Sequence, residues 1–75
     1  MSAFMSVLDS IDLSTRPKRR HTVSHIVAVL IRLCNAEIAY RDRIPDSLQD
    51  SGAYVAADES IELLTDAIDA LMSAY

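Results

Sequence analysis

Glycine, proline and cysteine are nearly missing from this chain: Gly52, Pro17, Pro45 and Cys34 are the whole supply in 75 residues. Sheet proteins need many tight turns, and tight turns draw on glycine and proline, so the shortage points to helices with few connections. One cysteine excludes an internal disulfide, and a lone thiol suits a reducing compartment. Tryptophan is absent and Phe4 is the one phenylalanine. Met1 to Asp12 has no basic stretch ahead of an apolar one, and acids interrupt it, so it does not read as a signal peptide. The longest apolar run, Ile26 to Ile31, stops at Arg32, short of the ~18 residues of a membrane span. The expectation is a cytoplasmic chain without a membrane partner.

What is present is apolar: 51% of the residues are hydrophobic. A monomer of this length buries only about 60% of its unfolded surface. Chains this small usually add disulfides, a metal or a second copy of themselves. No cysteine pair and no cluster of ligands is available here, so self-association is the expected remedy.

Charge is divided along the chain. All seven basic residues fall between Arg16 and Arg43, where only Glu37 and Asp42 oppose them. From Ile44 onward there are seven acids and no base, and the net charge is −4. Two oppositely charged segments of similar length suggest helices lying against each other. Exposed ion pairs are each worth only about 0–1 kcal/mol, so this charge selects orientation and partner more than it adds stability.

The clearest periodicity runs through Tyr54, Ala57, Ile61, Leu64, Ile68, Leu71 and Tyr75, spaced alternately by three and four. That spacing is the seam of a helix packed lengthwise on another. A second register beside it, Ala56, Ser60, Leu63, Ala67, Ala70 and Ala74, is mostly small and would let a neighbouring backbone come close. Earlier in the chain, Ile26 to Cys34 is apolar almost all round, and Ala36 to Tyr40 continue it at helical length. A helix of that kind must be covered from more than one side. Ser14 or Thr15 suits an N-cap, Pro17 fits a first turn, and Pro45 should end the helix near Arg43. Asp46 to Gln49 allow one helical turn, with Leu48 tucked beneath it, before Ser51 or Gly52 opens the last helix. Phe4, Leu8 and Ile11 have the spacing of a short amphipathic helix.

The expected fold is all-α: an antiparallel helical hairpin with a short N-terminal helix, completed by dimerisation into a bundle. Its parts are a short helix over 1–13, a long helix over 17–43, a turn over 44–52 and a long helix over 53–75, in one domain. Val23, Ile26, Val27, Leu30, Leu33, Cys34 and Ile38 should be central, facing Ile61, Leu64, Ile68 and Leu71. The segment from Tyr40 to Ser51, with Pro45, Leu48 and Gln49, then Ala56 to Glu59 and Ala67 to Leu71, resembles small acidic proteins of bacterial phages and mobile elements. In those, a P-x-x-L-Q-type turn leads into an acidic, alanine-rich helix. The resemblance covers the C-terminal half and implies a bacterial or phage setting without a mechanism.

Several constellations that carry chemistry elsewhere also have ordinary structural roles. Arg16, Lys18, Arg19 and Arg20 gather at a helix start, where both the bases and the helix N-terminus attract phosphate. No aromatic interleaves with them and the whole chain is acidic, so a solvated run that neutralises a neighbouring helix is the plainer account. His21 and His25 share a helix face at a spacing that can hold a metal, but no third ligand lies within a turn. Neither a metal nor any cofactor is expected. Cys34 lies among apolar residues with no base beside it, so a core thiol is favoured over a catalytic one. Asp58, Glu59, Glu62, Asp66 and Asp69 form an outward stripe on the last helix. No cleft is implied to raise a carboxyl for acid–base work. They serve as a solvated face or as a docking surface for a basic partner. No phosphate loop or nucleophile motif is present, so enzyme activity is not expected.

The function expected from these residues is a non-enzymatic protein–protein interaction module acting through helix packing and an acidic face. Its expected state is a homodimer with an unidentified protein partner, held together through Val27, Leu30, Ile31, Tyr54, Leu63 and Tyr75. The alternative is a small dimeric nucleic-acid-binding regulator using Arg16, Lys18, Arg19 and Arg20.

Overall fold

The computed structural model describes residues 11–75. Within them the chain forms α1, Arg16–Asp42, a 3-10 turn, Asp46–Leu48, and α2, Gly52–Ala74. The two helices pack against each other as a hairpin, and no strand occurs among the described residues. Each helix begins one residue before its expected range. Most of the expected N-terminal helix, including Phe4 and Leu8, lies outside the described residues; Ile11, Asp12 and Leu13 are not helical.

Local chemistry sets these bounds. Thr15 is extended, and its hydroxyl accepts from the Lys18 N–H at 3.3 Å, satisfying one of the free donors at the start of α1. Pro17 sits in the first turn, where it has no intrahelical bond to lose. At the other end Pro45 keeps Ile44 out of the helical region, so α1 stops and the N–H groups of Arg43 and Ile44 turn back to the Tyr40 and Arg41 carbonyls. Ser51 repeats the N-cap for α2, accepting from the Tyr54 N–H at 3.3 Å. Leu48, expected beneath the connection, is 53% exposed. A three-residue 3-10 turn offers it no packed surface to reach.

The contact between the helices uses the predicted seam of α2. Ala57 is only 1% exposed, and Tyr54, Ile61, Leu64, Ile68 and Leu71 are half-buried. Tyr75 is exposed at the end. Val23, Val27, Leu30, Cys34 and Ile38 of α1 meet it, with Cys34 buried. The Cys34 thiol lies 3.9 Å from the Thr65 hydroxyl, which itself donates to the Ile61 carbonyl at 2.8 Å. Near the turn, the Arg41 guanidinium donates to the Asp58 carboxylate at 2.8 Å. That contact raises the Arg41 pKa, with Asp42 adding to it.

Ile26 and Leu33, expected at the centre, are exposed. One helix can cover only one stripe of another, and both residues lie to the same side of the α1 stripe that faces α2. Among the described residues the two helices lie side by side, so the hairpin is a single layer. By length and composition α1 could also cross a membrane. Counting only the uninterrupted run from Ile26 to Ile31 misses this, because Arg32 and Glu37 interrupt the helix without making it polar.

Candidate functional site

The surface with most to explain is one broad face of the hairpin. On α1, residues Thr22, Ile26, Val29, Leu33, Ala36 and Tyr40 follow a second alternation of four and three. Steps of about 100° per residue line them up roughly a quarter-turn from the seam. Val29 is 61% exposed and Leu33 51%. On α2 the small-residue register holds the corresponding position, with Leu63 at 69% exposure its one large member. Glu37 and Tyr40 line a groove with Ala53, Ala56 and Ser60, which places the two stripes on the same side. Asp58 is two residues, about 200°, from both Ala56 and Ser60, so the Arg41–Asp58 pair lies on the opposite side. One side of the hairpin is therefore apolar and open along the length of α2.

Opposite charges flank that side. Arg32 is two residues from Cys34, and His25 two from Val23 and Val27, so both lie on the edge of α1 turned away from α2. Glu59 and Asp66 hold the matching edge of α2 by the same spacing from Ala57, Ile61, Leu64 and Ile68. All four are exposed. Among the described residues the ion pairs are Lys18–Asp12, Arg41–Asp42 and Arg41–Asp58, so Arg32, Glu59 and Asp66 take part in none of them.

No family model, curated protein or solved structure matches this chain.

The expected interface residues separate in the structure. Val27, Leu30 and Tyr54 are half-buried in the seam within the chain, whereas Ile31, Leu63 and Tyr75 stay exposed. Ile31 lies on the other side of α1 from Leu33, so these three do not form one patch. The repeat through Ile26, Val29 and Leu33 does. It is readable in the sequence, but the apolar residues around it hide its phase.

The basic group is largely occupied within the chain. The Arg16 guanidinium lies 4.7 Å from the centre of the Tyr75 ring. Lys18 pairs with Asp12, and an Arg19 N–H donates to the Leu13 carbonyl at 3.0 Å. Arg20 lines a groove with Leu71, Met72 and Tyr75. Spacing alone reveals none of these contacts, because each joins α1 to a residue before it or at the far end of α2. His21 and His25 meet edge to face with ring centres 4.7 Å apart. Among the described residues no group of three or more His, Cys, Asp or Glu side chains could hold a metal. Of the acids on α2, Asp58 is tied to Arg41, while Glu59, Glu62, Asp66 and Asp69 are exposed and join no ion pair among the described residues.

Proposed function

We propose that this chain is a non-enzymatic interaction module that completes its fold by binding protein, beginning with a second copy of itself. The observation that carries this is the single-layer hairpin with Val29, Leu33 and Leu63 more than half exposed on one side. Stable domains bury the apolar face of each layer against another. Monomers rarely leave a contiguous apolar patch of this kind uncovered. The exposed acids of α2 supply a docking edge for a basic partner. The resemblance of the C-terminal half to phage and mobile-element proteins suggests the setting, and a regulator or inhibitor role there is part of this proposal.

Two other surfaces could claim the same residues. A bilayer could take up α1, although the seam holds α1 against an α2 carrying five acids, which are costly to bring into hydrocarbon. Duplex nucleic acid could meet Arg16, Lys18, Arg19 and Arg20, but it would have to displace the contacts three of them already make. Sedimentation at micromolar concentration, with and without anionic vesicles or generic duplex at low salt, separates the three. A defined oligomer that ignores both additives is expected. A folded monomer that partitions to vesicles or duplex would replace this function with a membrane-surface or nucleic-acid one.

A further inference from the structure

We infer that the second copy docks on the apolar face about a two-fold axis parallel to the helices, so that α1 lies antiparallel on the partner's α2. This deepens the self-association just proposed and rests on it.

Two symmetric ways exist to lay one hairpin face on another. If the axis crosses the helices, α1 rests on α1 and α2 on α2. The Arg32 edges then stack on each other, and so do the Glu59–Asp66 edges. If the axis runs along the helices, each basic edge meets the partner's acidic edge, and every helix has antiparallel neighbours in a four-helix bundle. Charge thus distinguishes two arrangements that apolar burial alone would leave nearly equal.

The second arrangement also fixes the level of each contact, because rotation about an axis along the helices changes no residue's height. Within the chain Cys34 lies opposite Thr65 and Arg41 opposite Asp58. Seven residues forward on α1 is seven back on α2, so the level holds along the hairpin. Arg32 is then level with position 67, about one 1.5 Å helical step from Asp66. Across the axis it meets the partner's Asp66. Leu33, pointing straight out of the apolar face, meets the partner's Ala67, whose small side chain leaves room for it. This gives Arg32, a charge within the apolar middle of α1, an ion-pair partner that it lacks among the described residues.

Disulfide trapping tests the geometry directly. In a Cys34→Ala background, Leu33→Cys and Ala67→Cys chains are oxidised separately and as a mixture. A covalent dimer forming rapidly in the mixture, and not from either variant alone, is expected. Crosslinking of Leu33→Cys to itself, or a native dimer with no link in the mixture, would overturn the arrangement while leaving self-association intact. A folded monomer at micromolar concentration would remove both. A second measurement does not depend on the introduced thiols. Arg32→Glu should raise the dimer dissociation constant about tenfold, and Asp66→Arg likewise, while the double variant restores it to within about threefold. In the crossed arrangement the double variant shows no such rescue. If the full chain is monomeric and removing residues 1–10 makes it dimeric, the chain's own N-terminus covers the face and the inference fails.

Discussion

The Asp12 carboxylate takes hydrogen bonds from the Lys18 ammonium and from the Ser14 N–H, the latter at 2.9 Å. Lys18 first, and Ser14 second, hold its pKa at about 2, below the ordinary 3.8. A depressed carboxyl favours the folded state above the unfolded pKa, and that contribution is lost as pH falls through the folded pKa. The contact ahead of α1 should therefore be intact at pH 4 and above and open between about pH 4 and 2. A carboxyl-detected NMR titration should place Asp12 near 2, and Lys18→Ala should move it toward 3.8. A midpoint unmoved by that substitution would show that Ser14 alone carries the shift. Ala57 makes a different residue-scale case. It is the most deeply buried side chain of the hairpin, and its methyl is what lets α1 and α2 approach near the turn. Ala57→Leu adds three carbons where no space exists and should cost about 1–3 kcal/mol in urea denaturation. An unchanged midpoint would mean that the helices are spaced by other residues.

Each helix is started by a hydroxyl and, in α1, ended by a proline, and these signals are legible in the amino-acid order alone. Thr15→Ala and Ser51→Ala should each cost about 1 kcal/mol by removing the acceptor for one helix-terminal N–H. Thermal melts followed by far-UV circular dichroism would show it. The Thr15 loss should be the smaller if Pro17, the Asp12–Lys18 pair and the Arg19 contact to Leu13 also hold that end. The packing face is legible in α2 and not in α1, for a physical reason. Along α2, acids and small residues interrupt every side but one, so a single alternation of three and four stands out. Along α1, Ile26 to Cys34 offers apolar residues at every angle, and periodicity cannot say which stripe a partner takes. Val23, Val27, Leu30, Cys34 and Ile38 hold that position because they are in phase with Ala57, Ile61 and Leu64. Ile26 and Leu33 are left outside it. Contacts such as Arg16 on Tyr75 depend on how the hairpin closes, and no local pattern encodes that.

As a whole, the chain places its few strong features so that each lacks something a second copy would supply. Among the described residues the apolar repeat of α1 has no cover, the small residues of α2 have no large neighbour, and Arg32, Glu59 and Asp66 have no counter-charge. If one copy supplies all three, folding and association are a single equilibrium, and stability must depend on concentration. A tenfold rise in protein concentration then adds about 1.4 kcal/mol per dimer. For about 150 residues unfolding together, that raises Tm by roughly 3–6 °C. Calorimetry across a hundredfold range should show the rise in the native chain. In Leu63→Asp it should vanish, because a carboxylate would have to be buried at the centre of the apolar face. That variant must also lose stability, since its hairpin would stand alone as one layer. A native Tm that stays flat with concentration, matched by Leu63→Asp, would mean that the exposed face costs the monomer nothing. The case for a second layer would then fall at its root.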